Sequence, residues 1–118
     1  ITAMQMKAEL QRDGFTVLKF VTTGEEAVDC ASREKPGLIL MDINLAGKMD
    51  GIDAAALIRE QYPVSVIFLT GYQDADLKKR ADSVHPVRYL VKPVRTPALS
   101  LIIDAWLEGT ADFQAPID

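Results

Sequence analysis

Four consecutive apolar residues, Leu38-Ile39-Leu40-Met41, run without polar alternation onto a carboxylate, Asp42. A run of that length suits a strand buried on both faces, as in a parallel sheet covered by helices. An unpaired Asp is costly to bury, so Asp42 is expected where the strand leaves the core. In open parallel sheets that edge, the carboxyl end of the strands, is where ligands bind. Asp42 is therefore the first candidate for the chemistry of the chain.

The flanking sequence alternates regularly around this strand. Residues 1 to 12 read as a helix with Ala3, Met6 and Leu10 on one apolar stripe and Asp13-Gly14 as its stop. The methionines belong to that packing face, since no other soft metal ligand lies nearby. Phe15 to Val21 reads as a short β-rich strand. Thr23 and Glu26 form a capping box for a second helix, which turns Ala27, Val28 and Ala31 inward and stops before Pro36-Gly37. After the Leu38–Asp42 strand and a polar loop, a third helix spans about Gly51 to Gln61, closed by Tyr62-Pro63 because the residue before proline leaves helical geometry. Val64 to Leu69 is a second buried strand, ending on Thr70-Gly71, and a more polar helix follows from about Asp74 to Ser83. Val87 to Val91 is a strand that ends on Lys92-Pro93. The last helix, about Thr96 to Leu107, carries Leu99, Ile102, Ile103 and Trp106 at core spacing. This alternation predicts parallel strands joined by right-handed crossovers, with helices on both faces. The chain opens inside a helix, with no strand ahead of it to begin the first crossover.

Size and composition exclude several classes. A chain of 118 residues fits one domain, and 48% hydrophobic with 25% charged residues is the balance of a globular protein. The formal net charge of −4 argues against a nucleic-acid surface. Lys78-Lys79-Arg80 is the one basic cluster and reads as a solvated helix face. Cys30 is the single cysteine, which excludes an internal disulfide and a cysteine-based zinc site and fits a cytoplasmic location. No apolar run approaches the ~20 residues of a membrane span, and no signal peptide is visible. His85, the single histidine, sits in a Val-His-Pro turn and reads as a solvated loop residue, which disfavours serine-hydrolase chemistry.

Three successive buried strands end on Asp42, Thr70 and Lys92, and parallel pairing brings all three to one edge of the sheet. Each has an ordinary explanation alone, as a loop cap, a turn hydroxyl or a solvated cation. Together they offer a carboxylate, a hydroxyl and a cation to one oxygen-rich ligand. A carboxylate can attack phosphorus to give an acyl phosphate. Such a transfer needs its equatorial oxygens neutralised by lysine, hydrogen-bond donors and Mg²⁺, which takes one or two carboxylates plus carbonyls and waters. Asp50 and Asp53, the nearest further acids in sequence, start the third helix and read as helix-end carboxylates, as do Glu25 and Glu26 at the second.

Leu38-Ile39-Leu40-Met41-Asp42, Met49-Asp50-Gly51-Ile52, Val66-Ile67-Phe68-Leu69-Thr70 and Tyr89-Leu90-Val91-Lys92-Pro93 resemble the receiver domains of two-component response regulators. The resemblance covers residues 1 to about 108, leaving 109–118 as a C-terminal tail or linker. It implies a flavodoxin-like three-layer α/β sandwich with parallel strand order 2-1-3-4-5. It also implies that Asp42 accepts a phosphoryl group from a histidine kinase. Thr70 and Gly71 would bind and sense the phosphoryl group, Lys92 would pair with it, and Tyr89 would be the aromatic that swings inward. Asp42 and the backbone carbonyl of Asn44 would hold Mg²⁺, and the bond before Pro93 would be cis. The family's acidic pair for Mg²⁺ ends a first, central strand that would precede Ile1, so the chain is expected to begin after it. Other departures are Gly37 where an Asp is common, Ala46-Gly47-Lys48 in place of a shorter proline-containing loop, and Gly71 for a frequent alanine.

The function this implies is a phosphoacceptor domain that switches partner interactions through the face of the last three elements, not a conventional enzyme. Its partners would be a sensor histidine kinase and a downstream effector, with a homodimer allowed and neither nucleic acid nor membrane bound by this domain. A degenerate receiver acting as a phosphorylation-independent interaction module is the alternative. A flavodoxin-like cofactor-binding domain is disfavoured because no Ser/Thr/Gly-rich phosphate loop follows any strand.

Overall fold

The computed structural model describes residues 3–12, 14, 23–44, 47–71 and 74–108. Their elements run α1 (Ala3–Arg12), α2 (Gly24–Glu34), β1 (Leu38–Asp42), α3 (Gly51–Gln61), β2 (Ser65–Thr70), α4 (Ala75–Asp82), β3 (Arg88–Val91) and α5 (Thr96–Leu107). The strand expected over Phe15–Val21 and the tail 109–118 lie outside the described residues. The chain divides into two compact units, one holding α1 and α5 and the other holding α2 through β3.

In the larger unit the strands form a parallel sheet in the order β1-β2-β3. Asp42 pairs in register with Leu69, and Thr70 with Val91. Side chains alternate across a strand, and the core cluster takes Ile39 and Met41 from β1, Val66 and Phe68 from β2, and Tyr89 and Val91 from β3. Against that face pack Ala27 and Ala31 of α2, Ile52, Ala54, Ala55 and Ile58 of α3, and Leu77 and Ala81 of α4. The small residues let the helices approach the sheet closely. β2 is buried from Val66 through Thr70, as a fully enclosed strand should be. β1 differs from the expectation: Met41 alone is fully buried and the rest are partly exposed. Among the described residues β1 pairs with β2 only, whereas β2 is flanked on both sides, and the flanking is what removes a strand from solvent.

The helix starts follow their capping chemistry. Thr23 Oγ1 accepts from the Glu26 N–H at 3.1 Å and donates to Glu26 Oε1 at 3.2 Å. Asp50 and Asp53 form a reciprocal capping box at the start of α3, and Asp74 caps α4 by accepting from Asp76 and Leu77. Lys35 ends α2 in the left-handed region at φ 46° and returns its N–H to Ala31. Tyr62 leaves α3 in extended geometry, as its following proline requires, and its hydroxyl donates to the Pro36 carbonyl at 2.7 Å. In the smaller unit α1 packs against α5; Leu10, Leu99 and Ile103 are buried, with Met6, Ile102 and Trp106 partly so. Among the described residues no helix is long and apolar enough to cross a membrane.

Candidate functional site

β1 delivers Asp42 to the carboxyl edge of the sheet, where its carboxylate is gripped from two sides. Oδ1 accepts from the backbone N–H of Asn44 at 2.9 Å, a local turn that orients the group. Oδ2 accepts from Lys92 Nζ at 2.5 Å, fifty residues away in sequence, so the ends of two strands meet at this edge. The side chains of Lys92 and Asp42 are 43% and 33% exposed, so the pair is open to an incoming reactant. Each carboxylate oxygen keeps a further lone pair for another partner.

Thr70 ends β2, fully buried, and its carbonyl accepts from the Lys92 N–H at 2.7 Å. The three strand-end residues are thus joined, Asp42 to Lys92 by side chains and Thr70 to Lys92 by backbone. Beside the Thr70 hydroxyl stands Tyr89, whose ring is packed inside the core at 6% exposure. Among the described residues the phenol oxygen of Tyr89 is buried with no partner in hydrogen-bond geometry. Burial pushes its ionisation above the ordinary tyrosine value and Asp74 adds to this, while the Thr70 hydroxyl and Lys78 work against it. Lys78 Nζ lies 5.9 Å from the centre of the Tyr89 ring, within cation–π reach. Gly71 is exposed, and a Cβ there would meet nothing within 4 Å. His85 is exposed, as its turn context predicts.

Three features of the site were missed by the reading of the sequence. The Asn44 N–H holds the Asp42 carboxylate, whereas the family resemblance gives a part only to the Asn44 carbonyl. Gly51 is a close-approach glycine: a Cβ there would overlap the Asp42 carbonyl oxygen, and its N–H donates to the Ile43 carbonyl at 2.9 Å. The start of α3 therefore presses directly on the backbone that carries Asp42. Third, Arg80 is not part of a merely solvated face, because its guanidinium bridges to Asp50 at 3.0 Å and to Asp53 at 3.2 Å. The Asp-Gly pair before a helix is a visible signal for the second feature; nothing in the sequence marks the third. Burial raises the Asp50 carboxyl, but hydrogen bonds from the Asp53 N–H and from Arg80, with the charge of Arg80, outweigh it and hold the group below its ordinary value.

Mg²⁺ retains several waters and needs only one or two carboxylates. Among the described residues no group of three or more His, Cys, Asp or Glu side chains converges on one point. Among the described residues Asp42 brings one partly exposed carboxylate to this edge, the lower bound of what Mg²⁺ takes.

The family model described as the response regulator receiver domain matches residues 1–104. The transcriptional regulatory protein PdtaR of Mycobacterium tuberculosis is 33% identical over 112 residues, 92% of this chain and 54% of its own length. The phyllosphere-induced regulator PhyR of Methylorubrum extorquens is 35% identical over 104 residues, 87% of this chain and 38% of its own. The chain therefore spans about half or less of these curated relatives. Among solved structures, the signal receiver domain of a modulated diguanylate cyclase from Desulfovibrio desulfuricans superimposes with a TM-score of 0.83 at 35% identity, covering 92% of this chain and 86% of that one. The likeness extends to a CheY-like receiver domain protein from Methanospirillum hungatei at TM-score 0.83, where 24% identity shows the fold alone.

Proposed function

Since this chain belongs to the response regulator receiver domain family of two-component signalling, we propose that it takes a phosphoryl group onto Asp42 and passes the change on as an altered surface. Receiver domains are signalling domains that meet histidine kinases and effector domains; here the donor would be a kinase phosphohistidine. The observation that carries this reading is the solvent-open Asp42–Lys92 pair at the carboxyl edge of the sheet, with Thr70 on the neighbouring strand end. A carboxylate oxygen of Asp42 attacks phosphorus, the O–P bond forms, and the P–N bond breaks. The electron pair stays on the imidazole nitrogen, which then takes a proton from solvent. In this reading Lys92 offsets the charge gathering on the phosphoryl oxygens, and the Asn44 N–H fixes the carboxylate while it attacks. Asp42 and the Asn44 carbonyl would hold Mg²⁺. When bound, the ion neutralises phosphoryl oxygens during the transfer.

The acyl phosphate carries about two negative charges where the carboxylate carried one, a net gain of about one negative charge at Asp42. The Thr70 hydroxyl, followed by the open Gly71, would turn to the new oxygens, with Tyr89 held inward behind it, so that α4 and β3 report the change. The receiver would span residues 1–108, with 109–118 as a tail, and work in the cytoplasm. The test is incubation with Mg²⁺ and acetyl phosphate, followed by intact-mass measurement. One phosphoryl group, lost at acid and alkaline pH and absent from Asp42→Asn, is expected. An unmodified chain, in a preparation that also includes any residues encoded ahead of Ile1, would replace this function with that of an interaction module working without phosphorylation.

A further inference from the structure

α4 is held to its unit by little apolar surface. Of its eight residues only Ala81 is fully buried, with Leu77 partly so, whereas α3 buries Gly51, Ile52, Ala54, Ala55 and Ile58. For a helix with so little buried area, polar ties at its flanks decide where it rests. Two cations on α4 supply them. Lys78 pairs with Asp82 at 3.3 Å on its own helix and lies over the Tyr89 ring of β3. Arg80 leaves the helix altogether and joins both carboxylates of the α3 capping box, with Nη1 at 3.0 Å and Nη2 at 3.4 Å from Asp50 and Nη2 at 3.2 Å from Asp53.

The far end of that tie is the same helix start whose Gly51 presses on the Asp42 backbone. A single side chain thus connects the segment after Thr70 with the turn that carries the phosphoacceptor. We infer that Arg80 is a positioning residue, clamping α4 to the start of α3 and so holding the arrangement in which Tyr89 lies inside the core. An isolated surface ion pair contributes little, but a guanidinium shared by two carboxylates is a network with fixed geometry. The raised Arg80 and lowered Asp50 ionisations are what such a network produces. The clamp itself stands on the geometry; its bearing on phosphoryl transfer rests on the function proposed above. In that function phosphorylation favours the Tyr89-inward arrangement, so linkage requires the clamp to favour phosphorylation in return.

The experiment is ¹⁹F NMR of the fluorotyrosine-labelled chain, with the Tyr89 signal assigned by Tyr89→Phe and folding checked by circular dichroism. Arg80→Ala is expected to raise the solvent-exposed population of Tyr89 by about two- to fivefold, the size an exposed network supplies, and Arg80→Lys to restore part of it. A folded Arg80→Ala chain whose Tyr89 signal matches the wild type overturns the clamp. In parallel, the ratio of phosphorylated to free Asp42 reached with acetyl phosphate should fall by a similar factor in Arg80→Ala and recover in Arg80→Lys. A wild-type chain that takes up no phosphoryl group overturns the phosphoacceptor reading, while the Tyr89 signal still decides the clamp.

Discussion

Asp42 and Lys92 are open enough to water that their ion pair contributes little to stability, however short it is. Lys92→Met is therefore expected to cost at most about 1 kcal/mol in urea unfolding, while the rate of Asp42 modification falls at least tenfold. A loss of several kcal/mol would mean that the lysine is a structural residue first. Gly51 is the opposite case. Its replacement by alanine drives a methyl group into the Asp42 carbonyl oxygen, so that backbone and not a flexible side chain must shift. Gly51→Ala should lower the unfolding free energy by about 1–3 kcal/mol, the usual cost of overpacking. Because the strain falls on the Asp42 backbone, phosphoryl uptake should slow as well, and an unchanged urea midpoint would refute the close approach.

At the scale of elements, α3 and α4 differ in what holds them. α3 is fixed by a buried face and a closed capping box, so its start is a firm support for the turn after Asp42. That start is also where pH enters. The Asp50 carboxyl is held below its ordinary value in the folded chain, so its contribution is fully present above the unfolded value near 3.9 and is lost as pH falls through the folded one. The stability gap between wild type and Asp50→Asn is then expected to stay level from neutral pH to about 5 and to close in more acid solution. A gap that widens on acidification would reverse the assignment, and urea titrations at stepped pH read it directly. The basic run on α4 also changes meaning at this scale. Lys78 and Arg80 are spent on Asp82, Tyr89, Asp50 and Asp53, which leaves a poor phosphate-tracking patch and agrees with the chain's net charge of −4.

For the larger unit as a whole, β2 is the centre: it is flanked on both sides and buried over Val66–Thr70. Native-state hydrogen exchange should find its amides among the slowest of the unit and those of α4 markedly faster, since α4 buries one residue fully. Equal protection in the two elements would contradict a lightly held α4. Such a division, a firm sheet edge carrying Asp42, Thr70 and Lys92 beside a weakly attached helix, is what a two-state reporter needs.

Over the described residues, the sequence by itself determined the elements and the order in which they meet. Apolar runs, capping boxes and proline stops are local, and α5 and β1 fall where those signals put them. It also determined that Asp42, Thr70 and Lys92 share an edge, because parallel pairing leaves a buried strand no other place for its last residue. Tertiary structure decided what depends on distance across elements. β1 is less buried than its apolar run suggests, since burial depends on neighbours and not on composition. Arg80 reads in the sequence as one more solvated cation, and only folding sets it between two carboxylates from another helix. Gly51 needs its missing side chain only because the start of α3 arrives against the strand end where Asp42 stands.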